Sequence, residues 1–306
     1  MTNSALALRS ASALGRSGWL ARGTPVLVVV VALVAIWYVA AVLMNVQLVR
    51  DGFEREETPY TVGDLISGSL SAERPLLPAP HQIAQTFVSD VLDYPPTSPR
   101  SLIYHGWVTL SATVVGFVLG VLLGILLAAM IVQWRALEKS LLPWIICSQM
   151  VPILAVAPIV IVVMGAVGLH GLLPKSLISA YLCFFPVTIG VVKGLNSPDP
   201  IQRDLMRTWS ATPAQVFWKL RWPSAVPFLF ASLKVAITIS LIGAIVGELP
   251  TGAQAGIGAR LLAGSYYGQT IQIWAALLAA SLLSAGLIGV VGLTERLVGR
   301  HMGARR

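Results

Sequence analysis

The sequence predicts an all-α membrane protein, a six-span polytopic helical bundle. Three observations carry this. Of 306 residues, 56% are hydrophobic and 11% charged, whereas an ordinary soluble domain carries about 25% charged residues. Charge-free runs long enough to cross a bilayer core, which takes about 20 residues, recur along the chain. The basic residues between those runs are distributed unequally between the two sides, as a membrane orientation requires.

The elements follow in order. Residues 1–25 are basic and Ser-rich and are expected to form a cytosolic arm. The apolar run after them is long enough to span, so residues 26–44 are expected to be an uncleaved first transmembrane helix and not a signal peptide. Residues 45–106 are expected outside, and hold eight Asp/Glu against four Arg. Their acidic cluster Glu54, Glu56 and Glu57 is either a solvated loop or a docking surface for an external partner. Within 77–92, Ile83, Phe87, Val88, Val91 and Leu92 recur at helical spacing, predicting an amphipathic helix on the outer interface or against the bundle.

A five-helix core is expected over 107–298. Its first span, around Trp107 to Val132, carries Gly116, Gly120, Gly124 and Ala128 at four-residue spacing. Such a stripe lets helix backbones approach closely, within the bundle or at a subunit interface. Residues 140–174 hold 35 residues without Lys, Arg, Asp or Glu. As a straight helix they would reach roughly 52 Å, too far for one upright span. Pro143, Pro152 and Pro158 therefore predict a kinked or interrupted third span, ending before Gly165–Gly171. Spans four to six fall near Leu177–Val192, Phe228–Leu249 and Ile273–Leu293. A basic cytosolic tail closes the chain over 299–306.

Six spans put both termini on one side. That side, with the 193–227 loop, carries fourteen Lys/Arg against six on the other. Both termini and the loop of this multi-pass protein are thus expected in the cytoplasm. The net charge of +8 is explained by orientation, so no nucleic-acid partner is expected. Cys147 and Cys183 fall in apolar spans and read as buried packing thiols. The four histidines are scattered and no Cys/His set has metal spacing, so no metal or other cofactor is expected on the chain itself. Trp37, Tyr38, Trp107, Trp144 and Trp274 lie near span ends as an aromatic belt.

Polar residues inside spans are expensive and are the translocation-pathway candidates. Ser148 and Gln149 sit beside Pro152. Lys234, Thr238 and Ser240 follow one another in span five, and Glu248 ends it. Lys234 either snorkels to the cytosolic interface or contacts an anion. Glu248 is either an interfacial carboxylate or a gate or binding-protein contact. No convergent catalytic set is present and no phosphate-binding Gly-x4-Gly-Lys-Ser/Thr loop, so the chain is read as a non-enzyme. Gly256-Ile257-Gly258 follows no strand and is not a dinucleotide motif.

The loop between Lys193 and Pro227 reads KGLNSPDPIQRDLMRTWSATPAQVFWKLRWPSAVP. Asn196 to Pro200 is a helix-start signal. A short amphipathic helix is expected over Ile201–Trp209 and a second over Ala214–Leu220, the latter ended by Pro223 and Pro227. Exposed aromatic and basic residues on two such helices suit a partner's groove; a loop lying on lipid headgroups is the other reading.

Here the chain resembles the type I ABC importer permeases. Their signature is E-A-A, three residues, G, nine residues, I, one residue, L-P, and the spacing is kept. Asp204 stands for the Glu, Leu205 and Met206 for the alanines, Ser210 for the Gly, Leu220 for the Ile, Trp222 for the Leu and Pro223 for the Pro. LPAPHQIAQTF, the stretch from Pro223 through PFLFASLKVAITISLIGAIVGEL, and GIGARLL resemble the nitrate/taurine/aliphatic-sulfonate branch. The resemblance covers about residues 77–300 and leaves the first 25 residues and the 45–76 insert outside. It implies a type I permease fold with cytosolic coupling helices, and an ATPase-coupling role for Arg203, Asp204, Arg207, Ser210, Ala211, Phe217, Leu220 and Pro223. It also implies partners: two cytosolic ATPase subunits using ATP and Mg, a second or sister permease, a periplasmic or extracellular substrate-binding protein, and lipid. The implied function is ATP-driven import of a small solute of the nitrate/sulfonate/taurine or heterocyclic/aromatic-acid class. The alternative is an ion-gradient-driven secondary transporter, which would want mid-span carboxylates and often internal repeats; neither is found.

Overall fold

The computed structural model describes residues 4–250 and 255–301, with residues 4–23 as backbone only. The arm's basic side chains and Arg305 and Arg306 of the tail lie outside the described residues. The chain divides into two compact units, residues 1–86 with 268–274, and residues 87–267 with 275–306.

In the first unit, helix α1 (Ser4–Arg55) is one continuous element that joins the expected arm to the expected first span. Helix α2 (Val62–Ser71) starts at a reciprocal cap: the Thr61 hydroxyl accepts from the Asp64 amide, and the Asp64 carboxylate accepts from the Thr61 amide. Helix α3 (Pro80–Leu92) begins in this unit. The insert over 45–76 is tied down by one residue. Asn45, fully buried, donates to the Ser69 and Leu77 carbonyls at 3.1 and 2.8 Å and accepts from the Leu76 and Leu77 amides at 2.8 and 3.2 Å. Its amide uses both donor hydrogens and both acceptor positions. The Trp37 indole donates to the Pro78 carbonyl and lies tilted against Trp274, with ring centroids 5.0 Å apart, so these two residues pack the unit.

The second unit is built on α4 (Leu102–Gln133), α5 (Arg135–Ser148), α6 (Ile153–Ala166), α7 (Leu172–Leu195), α8 (Pro200–Thr208), α9 (Pro213–Val216), α10 (Trp222–Glu248), α11 (Ile257–Tyr266) and α12 (Thr270–His301), the first turn of α12 belonging to the other unit. The small-residue stripe of α4 is buried and faces α7. A Cβ at Gly120 would lie 2.8 Å from the Ala180 carbonyl, and one at Gly124 would lie 2.9 Å from Val187. Only glycine permits that approach. Gly116 faces Ser179 and Gly124 faces Val187, so α4 and α7 run parallel. Gly243 of α10 meets Ser179 while Gly194 of α7 meets Ala225, so α10 runs antiparallel to both. Ser240 bonds the three helices together: its hydroxyl donates to the Thr113 carbonyl at 2.9 Å and lies 2.6 Å from the Ser179 hydroxyl.

Among the described residues five helices are long and apolar enough to cross a membrane, and the α5–α6 pair, bent by 96°, makes a sixth if it is one broken span. Because α4 and α7 are parallel, that pair must return the chain to the opposite end of the bundle. The break falls at Pro152, which has no N–H to give the preceding turn. Pro143 and Pro158, by contrast, sit inside continuous helices. Phe87 and Val91 of α3 pack against Leu102, Ile257 and Ala276, so that part of the amphipathic helix faces the bundle. Cys183 is buried in the core, but Cys147 is exposed, which corrects its reading as a buried thiol.

Candidate functional site

Two regions of the second unit gather the polar chemistry. One lies at the end of the bundle where α7 begins and α10 finishes; the other is the loop joining α7 to α10 at the opposite end.

At the first end, Glu248 is fully buried. This corrects the reading of an interfacial carboxylate. Its oxygens lie 3.0 and 2.9 Å from the Thr109 hydroxyl on α4, one accepts from the Gly258 amide at 2.9 Å, and the Lys175 ammonium sits 3.6 Å away. Lys175 also donates to the Ala255 carbonyl at 2.9 Å. The Thr109 hydroxyl accepts from the Ile257 amide at 2.8 Å, and His105 Nδ1 accepts from the Gly256 amide at 3.0 Å. His105 Nε2 lies 2.8 Å from the Pro99 carbonyl and therefore carries the ring proton. Three successive amides of Gly256-Ile257-Gly258 are thus matched to three acceptors. Gly256 has φ +127°, and a side chain there would run into the Glu248 carboxylate. A buried charge is tolerable only with such a full set of partners.

A second tie holds α11 beside this network. Arg260 lies 3.3 Å from Asp90 of α3 and donates to the Arg100 carbonyl at 3.4 Å. Burial pushes the Asp90 carboxyl above its ordinary range, against the opposing pull of the Arg260 guanidinium.

Next to the network opens a cavity of about 700 Å³. Tyr104, Trp107 and Ser111 on one face of α4 line it, together with His170 and Lys175. Trp107 therefore lines a cavity in addition to its place in the aromatic belt.

At the loop end, α8 starts at a reciprocal cap between Asp199 and Gln202. None of its residues is buried, and Ile201, Leu205 and Trp209 are at least half exposed. Asp204 lies 3.4 Å from Arg207, a solvent-exposed pair worth little to stability. Helix α8 ends in a Schellman turn: the Ser210 amide donates to the Arg207 carbonyl and the Ala211 amide to the Met206 carbonyl. Ser210 takes the left-handed position, φ +49°, that glycine usually fills. The turn survives without glycine because a single left-handed residue costs only about 1–2 kcal/mol.

The second loop helix departs from expectation. Helix α9 is four residues long and passes through a wide π turn, Phe217–Arg221, into α10 without a break. Pro223 and Pro227 do not end it. Pro223 sits in the first turn of α10, where its missing N–H is absorbed by the register shift of the π turn. Phe217, Trp218 and Trp222 form an aromatic cluster at 5.2 to 6.4 Å that fixes this joint. Phe217 also packs on the α4–α7–α10 core, and Leu220 accepts from the Ser224 hydroxyl through its carbonyl.

The remaining pathway candidates scatter. Ser148 and Gln149 bond each other at the α5–α6 break, where the Tyr181 hydroxyl reaches the Ser148 carbonyl. The Lys234 ammonium is paired with Glu295 of α12. Thr238 bonds back to the Lys234 carbonyl. Ser240 is the internal tie already described and is not among the cavity-lining residues. Thr109, His105, Lys175, Asp90 and Arg260 were missed in the sequence. Each looks ordinary in its own segment, and only Gly256-Ile257-Gly258 soon after Glu248 hinted that backbone closes on that carboxylate.

Residues 120–303 match the family described as binding-protein-dependent transport system inner membrane component. Among curated relatives, the riboflavin transport system permease protein RibX of Chloroflexus aurantiacus is 35% identical over 228 residues, 74% of this chain and 80% of the relative. The formylaminopyrimidine transport permease protein ThiX of Halalkalibacterium halodurans is 30% identical over 193 residues, 63% and 72% of the two chains. The putative aliphatic sulfonates transport permease protein SsuC of Bacillus subtilis is 25% identical over 235 residues, 77% and 81%. With the helical frame, the broken span and the exposed loop in place, this chain belongs to the binding-protein-dependent transport permeases, as a multi-pass ABC importer permease.

Proposed function

We propose that the chain is the permease subunit of an ATP-driven importer of a small solute in a bacterial cytoplasmic membrane, with both termini and the 193–227 loop in the cytoplasm. Two ATPase subunits carry ATP and Mg, an external binding protein delivers the solute, and a second or sister permease completes the pathway. The relatives named above, with riboflavin, formylaminopyrimidine and aliphatic sulfonates in their names, support a small-solute cargo.

The observation that carries the reading is the joint at the loop. Helix α8 offers exposed Ile201, Leu205 and Trp209 beside Arg203, Asp204 and Arg207. Its turn at Ser210 and Ala211 leads into α9, which runs on as α10 through the π turn. A push on α8 therefore has a stiff path into α10, at whose far end Glu248 sits. ATP drives transport only if it favours one global arrangement over the other, and such a joint gives the ATPase a lever on that choice.

The test is ATP-dependent uptake by proteoliposomes holding the permease with the ATPase that co-purifies with it. Asp204→Arg is expected to abolish uptake and weaken ATPase retention while leaving the helical fold intact. Uptake unchanged in Asp204→Arg removes that residue from the coupling surface. Uptake that follows an ion gradient and ignores ATP overturns the importer reading.

A further inference from the structure

We propose that the cavity between α4 and the start of α7 is a cargo subsite within the permease, and that it takes planar heteroaromatic solutes carrying a carbonyl or ring-nitrogen acceptor in preference to sulfonates. This rests on the chain being a solute permease and adds where the solute rests and of what class it is.

Three features of the walls make the argument. Tyr104, Trp107 and Ser111 lie at three- and four-residue spacing on one face of α4, so two aromatic rings and a hydroxyl oxygen are presented together. Trp107 is 68% exposed and lines a cavity of about 700 Å³. That volume lies within the range of small-molecule sites, about 300–1,000 Å³. Aromatic side chains of this kind give large contact area and stack on flat rings.

Lys175 decides the charge. Lys175 lines the cavity with an 11% exposed side chain, and its ammonium is held between the Ala255 carbonyl at 2.9 Å and the fully buried Glu248 carboxylate at 3.6 Å. The positive charge is therefore compensated from behind. A sulfonate would have to shed its water against one compensated cation, with the Glu248 carboxylate close by, and that desolvation is poorly repaid. A carbonyl or ring nitrogen can take the remaining ammonium hydrogen at far smaller cost. His170, at the cavity margin, adds a second nitrogen for donation or acceptance. The compensated lysine and the paired aromatics favour the same ligand class.

The experiment is isothermal titration of the purified full-length permease in lipid nanodiscs with riboflavin, 4-amino-2-methylpyrimidine and ethanesulfonate, each to millimolar concentration. At least one of the two ring compounds is expected to bind saturably and ethanesulfonate not to compete. Trp107→Leu and Tyr104→Leu are expected to weaken ring binding by about tenfold or more, the scale of a lost aromatic contact. Both variants are checked for unchanged melting temperature, and Gly286→Ala on α12, where nothing lies within 4 Å, serves as the unaffected control. Binding of neither ring, displacement by ethanesulfonate, or ring binding indifferent to both substitutions overturns the proposal. No ATPase is present, so the two readings fail separately. A permease that binds no ring yet imports within its complex loses the subsite alone; one that binds rings but never engages an ATPase loses the importer reading alone.

Discussion

The Thr109 hydroxyl lies 3.0 and 2.9 Å from the two carboxylate oxygens of Glu248, across 139 residues of sequence. It also accepts from the Ile257 amide, so one side chain of α4 joins the end of α10 to the start of α11. Removing it takes one donor from the carboxylate and leaves the Ile257 amide without its acceptor. Thr109→Val, nearly the same shape, is expected to cost about 1–3 kcal/mol, because a buried group left unpaired loses its full solvation. Glu248→Ala should cost more, and the double variant should cost less than the two effects added, since the residues share one network. Melting curves of the four proteins in one detergent check this; strict additivity would break the link.

At the loop, Ser210 occupies a left-handed position with φ +49°. Ser210→Gly is expected to stabilise the turn by up to about 1 kcal/mol and Ser210→Val to strain it by more, because a branched Cβ crowds that conformation. Limited proteolysis between α8 and α9 reads the difference: slower cleavage for the glycine variant, faster for the valine one.

The α4 stripe leaves no room for side chains. A Cβ at Gly120 would come 2.8 Å from the Ala180 carbonyl and closer still to Cys183. Gly120→Val is expected to cost more than about 3 kcal/mol, beyond ordinary overpacking, since two helix backbones must separate. Loss of a monodisperse peak in size-exclusion chromatography is the expected readout. Gly286→Ala of α12, where nothing lies within 4 Å, should leave the peak unchanged.

Much of this architecture is legible in the sequence, and the part that is legible is local. The charge-free runs, the glycine stripe, the break at Pro152 and the helix start at Asp199 each depend on residues within a few turns of one another. The joint into α10 was misread because Pro223 normally signals an end, and nothing nearby announces a π turn that absorbs it. The Glu248 network was invisible for a different reason: its partners come from α4, α7 and the 255–258 segment, and a lone threonine or lysine carries no mark of a distant carboxylate. Asn45 hid likewise, one polar residue near the end of an apolar run whose four bonds are all made to backbone 24 or more residues away.

Asp90 gives a pH dependence with a definite sign. Its folded carboxyl titrates above the ordinary value of 3.8, burial outweighing Arg260. The folded state therefore holds this proton more tightly than the unfolded state does. Stability from this site is full below the ordinary aspartate range and is lost as pH rises through the raised folded value. Asp90→Asn should flatten that part of the pH–stability curve, and Arg260→Met should steepen it by removing the opposing charge. A curve that rises through this window in the parent protein and is unchanged in both variants would show that Asp90 does not titrate as its surroundings require.

The α8–α9 joint is the proposed docking surface for an ATPase. The most direct measurement is gentle affinity purification of the tagged chain from its native membranes, with co-purifying proteins identified by mass spectrometry, for the parent and for a Leu205→Glu, Trp209→Glu variant. A stoichiometric ABC ATPase is expected with the parent, and its loss from the variant while the permease still behaves as a folded membrane protein. A parent that carries no ATPase under conditions preserving other such complexes, or a variant that retains it in full, would contradict the account.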